Sequence, residues 1–230
     1  MYPLPQFSFG PILHRMRDDP PLPPVIARWF AARGWSVRPH QQAMLAADMA
    51  GRDALLVSAT GSGKTLAGFL PTLADLAVSP TDTLHTLYVS PLKALANDIE
   101  RNLSAPVAEM GLPINIETRT GDTGASVKAR QRTRPPHILL TTPESLSLLL
   151  AHPDAPWLFG PLRRIIVDEV HAFAPTKRGD LLALCMARLA KIAPEHRRAA
   201  LSATIADSMP YRAWLSRNEN AEEVTLVAGS

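Results

Sequence analysis

A single cysteine, Cys185, occurs in 230 residues, so no disulfide can close within the chain and a cytoplasmic setting is expected. Its neighbours in Leu181-Leu182-Ala183-Leu184-Cys185-Met186-Ala187 predict a buried apolar residue. No group of Cys and His has metal-ligand spacing, so neither zinc nor an iron–sulfur centre is expected. No uncharged apolar run approaches the ~20 residues that a membrane span needs. The first 24 residues are rich in proline and broken by charges, unlike a signal peptide. Charge of one sign is not in excess either: a formal net charge of +3 permits nucleic-acid binding without arguing for it. Internal repeats and long low-complexity tracts are absent. What the chain has is apolar side chain, 46% of residues, enough for one large globular domain or two small ones.

The most informative segment is Ser58-Ala59-Thr60-Gly61-Ser62-Gly63-Lys64-Thr65, directly after the apolar run Ala54-Leu55-Leu56-Val57. A strand feeding a Gly-rich turn that opens a helix is the setting of a phosphate-binding loop. Gly61 and Gly63 allow the tight turn that aims successive N–H groups at phosphate oxygens. The helix that follows adds the positive end of its dipole at the same place. Lys64 is placed to reach β- and γ-phosphates, and the Thr65 hydroxyl to ligate Mg²⁺. Ser58 stands where the usual pattern has glycine, a position that another small residue can fill.

The run Ile165-Ile166-Val167-Asp168-Glu169-Val170-His171 reads as a buried parallel strand ending in two acids. In open α/β sheets ligands bind beyond the carboxyl ends of strands, where these acids emerge. Asp168 is placed to hold Mg²⁺, directly or through water, and Glu169 to orient and deprotonate an attacking water. Leu201-Ser202-Ala203-Thr204 offers the hydroxyls of Ser202 and Thr204 to the acids or to His171. Upstream of a helical segment lie Gln41 and Gln42, and either amide can read an adenine edge through its donor and acceptor. Spacing does not separate the two.

Helices are predicted from Pro24 to Arg33, stopped by Gly34, and from about Pro39 to Ala50. Strands are predicted over 54–58, 84–89, 137–141, 163–168 and 198–202, with a shorter, more polar one over 114–118. Helical segments over 64–77, 92–103, 123–132, 143–150 and 179–193 lie between them. This alternation predicts an α/β fold with a mainly parallel sheet covered on both faces. Residues 1–24 are expected to form a proline-rich arm and residues 25–230 the folded domain. The basic run Lys128-Ala129-Arg130-Gln131-Arg132-Thr133-Arg134 is either a solvated helix face or a non-specific phosphate-contacting patch.

In that order, SATGSGKT, DEVH and SAT resemble motifs I, II and III of superfamily 2 DExH-box helicases. Tyr88-Val89-Ser90-Pro91-Leu92-Lys93-Ala94-Leu95-Ala96-Asn97-Asp98, Arg119-Thr120-Gly121-Asp122-Thr123, Thr141-Thr142-Pro143-Glu144-Ser145-Leu146 and Lys177-Arg178-Gly179 are similar to segments of the Lhr-like (large helicase-related) family. Leu84-His85-Thr86-Leu87-Tyr88 and Pro106 to Pro113 look closest to its bacterial ligase-associated branch. The resemblance covers roughly residues 25–217. It implies a RecA-like P-loop domain that uses ATP and Mg²⁺ to move on single-stranded or tailed DNA, RNA not being excluded. It implies nucleic-acid contacts at Lys93, Arg119, Thr120, Gly121, Thr142, Pro143 and Glu144, and a coupling role for His171, Ser202 and Thr204. It further implies a DNA-repair setting with DNA ligase and nuclease neighbours; with no long apolar run, no membrane partner is expected. Such helicases carry a second RecA-like lobe whose arginine fingers reach the γ-phosphate. The chain ends at Ser230, shortly after SAT, so that lobe is expected in a longer chain or in trans. The other function class consistent with these residues is a nucleotide- or nucleic-acid-binding module with a docking or regulatory role and little turnover.

Overall fold

A computed structural model describes residues 21–229; the expected N-terminal arm lies outside the described residues as far as position 20. Among the described residues seven strands are formed: β1 (Ala54–Val57), β2 (Thr86–Val89), β3 (Ile116–Arg119), β4 (Ile138–Thr141), β5 (Arg164–Val167), β6 (Arg197–Ser202) and β7 (Thr225–Ala228). They make one sheet in the order β3-β4-β2-β5-β6-β1-β7, and every pairing is parallel. A parallel sheet puts all its carboxyl ends on one edge. Ser58, Ser90, Thr120, Thr142, Asp168 and Ala203, each just past its strand, therefore share that edge.

Among the described residues ten helices cover the sheet: α1 (Pro24–Ala32), α2 (Pro39–Met49), α3 (Lys64–Val78), α4 (Lys93–Glu109), α5 (Ala125–Thr133), α6 (Pro143–Ala151), α7 (Ala155–Phe159), α8 (Val170–Phe173), α9 (Lys177–Ile192) and α10 (Met209–Leu215). Strand side chains alternate between the two faces. Leu55, Leu87, Val89, Leu139, Ile165 and Val167 pack under α6, α7 and α9, with Leu146, Phe159, Leu182 and Leu189. Leu56, Tyr88, Leu140, Ile166 and Leu201 pack on the opposite face with Ile26, Phe30, Met44, Phe69 and Leu73 of α1–α3. Both faces are buried, which is why the central strands read as continuous apolar runs rather than alternating ones. Cys185 is buried in the first of these cores, and burial pushes its thiol up to about 11. Among the described residues no helix is long and apolar enough to cross a membrane.

At the amino edge of the sheet, Arg164 ties two helices to β5. Its guanidinium pairs bidentately with Asp48 of α2 and donates to Asp75 of α3 at 2.6 Å. Burial works against the Asp75 carboxylate, but hydrogen bonds from His85 and Arg164 hold it down to about 2.

Helices α7, α8 and α10 form where the sequence predicts none, and three further elements differ from expectation. The segment Thr225–Ala228 forms edge strand β7 beside β1, although it is short and leaves Leu226 half exposed. Helix α4 continues past residue 103 and through Pro106 to Glu109. The polar strand predicted over 114–118 forms over Ile116–Arg119, as the other edge of the sheet.

Candidate active site

The phosphate-loop segment leaves β1 and enters α3. Gly61 and Gly63 both take left-handed backbone conformations, φ +80° and +82°. A side chain costs roughly 1–2 kcal/mol in that region, which glycine avoids. A Cβ on Gly63 would also lie 3.2 Å from Gln41 Nε2. Inside the loop, Ser58 Oγ donates to Ser62 Oγ at 2.6 Å, and both residues are buried. A hydroxyl at the first loop position thus braces the turn from within. Arg38 Nη1 donates to the Ser62 carbonyl at 2.5 Å. Lys64 and Thr65 open α3, both half-buried.

Gln41 is buried, and its Oε1 accepts from the Arg38 backbone N–H at 2.9 Å, closing the first turn of α2. A cavity of about 400 Å³ opens beside the loop, lined by Phe30, Gly34, Trp35, Ser36, Arg38, Gln41, Gly61, Gly63 and Leu66. Gln41 belongs to this lining; Gln42 does not. Phe30, Trp35 and Arg38 were not singled out from sequence. The pair of aromatics before the Pro39-His40-Gln41 turn was the available signal.

Two strands away, β5 leads directly into Asp168. The buried Asp168 carboxylate accepts from the Tyr88 hydroxyl at 2.5 Å and from the Glu169 N–H at 2.9 Å. Glu169 is held at φ +49°, a conformation uncommon outside glycine. Its Oε2 lies 3.4 Å from His171 Nε2, and His171 Nδ1 lies 3.0 Å from Ser202 Oγ. The Ser202 carbonyl in turn accepts from the Ser58 N–H at 3.1 Å. Glu169, His171, Ser202 and the first residue of the phosphate loop are thus linked in series along β5, β6 and β1. Thr204 is exposed and joins no hydrogen bond among the described residues.

The other half of the edge belongs to β2, β4 and β3. Lys93 opens α4, and its side chain is outside the described set. Arg119 turns inward: only 8% exposed, its guanidinium donates to the Lys128 carbonyl at 2.7 Å and to Gln131 at 3.4 Å. It anchors α5 rather than facing solvent. Thr120 is buried, and its backbone N–H is taken by Thr123 Oγ1 at 2.9 Å. Gly121 is exposed, and its carbonyl accepts from Lys128 Nζ at 2.9 Å. Thr142 caps α6 with Pro143 next to it, both buried. Glu144 follows in the first turn and pairs with Arg178 at 2.6 Å, which holds its carboxyl below the usual range. The basic run 128–134 is tied down in part: Arg130 grips Glu117 bidentately and Arg132 lies 3.6 Å from Asp154.

An all-parallel α/β sheet with a braced phosphate loop on β1 and an Asp-Glu pair on β5 defines a RecA-like nucleotide-binding domain. The DEAD/DEAH box helicase family model matches residues 38–211, and the chain belongs to that family. It is 38% identical over 198 residues to the ATP-dependent helicase Lhr-Core of Methanothermobacter thermautotrophicus, matching 80% of this chain and 23% of that protein. It is 44% identical over 191 residues to an Lhr helicase and probable uracil glycosylase of Mycolicibacterium smegmatis, matching 77% of this chain and 13% of that protein. The solved structure of Mycobacterium smegmatis helicase Lhr bound to ssDNA and AMP-PNP superposes with a TM-score of 0.82 at 37% identity, covering 91% of this chain and 28% of that one. The chain therefore spans less than a third of the length of each of these relatives.

Proposed function

We propose that this chain is the first RecA-like motor lobe of a DNA helicase or translocase. It binds ATP on the β1–β5 half of the edge and single-stranded DNA on the β2–β3 half. The observation that carries the reading is the cavity between Trp35, Gln41 and Gly63, which leads into a loop of left-handed glycines on the same edge as Asp168 and Glu169.

Loop amides and Lys64 would take the phosphates, and Gln41 would face the adenine edge. The donor chemistry suits Mg²⁺: a hydroxyl from Thr65 and a carboxylate from Asp168 are hard oxygens. Bound there, Mg²⁺ would neutralise charge on the phosphate oxygens. Glu169 would accept a proton from the attacking water as its oxygen bonds the γ-phosphorus and ADP leaves. His171 and Ser202 would carry the state of Glu169 toward the phosphate loop. Lys93, Thr120, Gly121, Thr142, Pro143 and Glu144 would line the DNA path, where N–H groups, hydroxyls and helix N-termini hold phosphates without reading bases. Arg119 would act through α5.

Residues 25–230 would form one lobe, completed by a second RecA-like lobe whose arginines are worth about 10³–10⁵ in rate in other nucleotide hydrolases. The ligase-associated branch, with its DNA-repair setting and its ligase and nuclease neighbours, is favoured by the segments around Leu84 and Pro106. Co-purification of a longer form with a DNA ligase tests that placement. The central assignment is tested by titration calorimetry with ATP·Mg²⁺. Wild type should bind weakly and Lys64→Ala not measurably; equal affinity in both would sink it.

A further inference from the structure

Arg178 stands between the two halves of the edge. It is the second residue of α9, and its fork makes three contacts at once. Nε and Nη2 donate to the two Glu144 oxygens at 2.6 and 3.1 Å, at the start of α6. Nη1 donates to the Pro91 carbonyl at 2.7 Å, in the loop between β2 and α4. The guanidinium carbon also lies 5.9 Å from the Phe173 ring of α8, within cation–π range.

The base of Arg178 is fixed to the acid-bearing segment. Thr176 caps α9, and both its backbone N–H and its hydroxyl donate to the Phe173 carbonyl, at 2.8 and 2.9 Å. Gly179 packs so closely that a Cβ there would lie 2.2 Å from the same carbonyl. Helix α8 begins immediately after Glu169. A shift of the Asp168–Glu169 turn with nucleotide would therefore carry α8, the first turn of α9 and the Arg178 fork together. At its far end the fork holds the β2–α4 loop and the first turn of α6, both on the DNA half.

We propose that Arg178 is the positioning residue that transmits nucleotide occupancy to the single-stranded DNA loops, through Pro91 and Glu144. This rests on the reading above that the edge binds both ligands. A lysine cannot replace it, because one ammonium cannot meet a bidentate carboxylate and a carbonyl in the same geometry.

The test measures affinity of this chain for a fluorescein-labelled oligo(dT) by anisotropy, with and without AMP-PNP·Mg²⁺, alongside a thermal melt. Coupling is the ratio of the two dissociation constants, and linked sites commonly give 5–150-fold. Wild type should show a change of at least fivefold. Arg178→Ala should bring the ratio to within twofold of one, and Arg178→Lys should lower it at least threefold while keeping the charge and the melting temperature. A purely structural role would weaken both affinities together and leave the ratio untouched. A wild-type ratio retained in either variant overturns the inference, as does a wild-type ratio of one with both ligands bound. Failure of wild type to bind either ligand instead removes the assignment of the site itself, and this inference with it.

Discussion

The Tyr88 hydroxyl donates to Asp168 Oδ2 at 2.5 Å, joining neighbouring strands β2 and β5 in the buried floor of the edge. Burial, and then the Asp168 charge, push the phenol far above its ordinary range, so it stays a donor at every working pH. With the Glu169 N–H on Oδ1, both carboxylate oxygens are aimed.

Tyr88→Phe removes one donor from a buried carboxylate. Hydrogen bonds to charged groups contribute about 1.5–3 kcal/mol, so urea denaturation should show a loss in that range. If Asp168 holds the metal, the Mg²⁺ concentration for half-maximal nucleotide binding should also rise severalfold. An unchanged urea midpoint would mean that water replaces the phenol.

Gly179→Ala should destabilise. In an ordinary helix interior the exchange of Gly for Ala gains roughly 1 kcal/mol. Here the new Cβ would lie 2.2 Å from the Phe173 carbonyl, and the first turn of α9 must move off α8. A lower melting temperature than wild type is expected. A rise of the size helix propensity alone predicts would show that the two helices are free to separate.

His196 makes stability depend on pH in a defined window. The side chain is fully buried, and burial first, then Arg217, Arg198 and Arg197, lower its pKa from 6.5 to about 4 against the opposing hydrogen bond to the Ala193 carbonyl. Its Nε2 faces Arg198 Nε at 3.3 Å and can accept only while unprotonated. Between these two values the unfolded chain takes the proton first. Stability should be complete above pH 6.5, fall as pH drops toward about 4, and level off below. At 1.36 kcal/mol per pH unit the loss is at most about 3.4 kcal/mol. Replacing His196 by Gln should flatten that part of the curve in urea titrations at stepped pH.

Much of this site was legible because its chemistry is contiguous in sequence. Leu55-Leu56-Val57 followed by SATGSGKT declares a strand, a turn and a phosphate loop. Ile165-Ile166-Val167 followed by Asp168-Glu169 declares a strand end. What stayed hidden depends on which strands become neighbours. Tyr88 and Asp168 meet only because β2 lies beside β5, and nothing local in either segment says so. The cavity wall of Phe30 and Trp35 forms only once α1 and α2 fold over the loop. Arg119 reads as an exposed basic loop residue, yet α5 docks so that its backbone captures the guanidinium. Strand β7 was missed because four residues at a sheet edge, half of them solvent-facing, carry little apolar signal. The helical segment predicted to end at 103 runs on as α4 through Pro106 to Glu109.

Glu169 itself shows a conflict between conformation and chemistry. A glutamate at φ +49° is strained, by roughly 1–2 kcal/mol relative to a residue without Cβ. Such outliers gather at functional sites, where surrounding structure holds them. Gly at this position relieves the strain but loses about 0.5–1 kcal/mol to the entropy of the unfolded chain. Glu169→Gly should therefore be at least as stable as wild type in urea, whereas Glu169→Val, β-branched and worse suited to that region, should lose 1 kcal/mol or more. In a longer form carrying the second lobe, Glu169→Gly and Glu169→Gln should both keep ATP binding and lose turnover, because neither side chain can accept the proton. Stability that follows the backbone requirement while turnover follows the carboxylate would separate the two roles. Wild-type turnover in Glu169→Gln would remove Glu169 from the chemistry and leave its strain without a function.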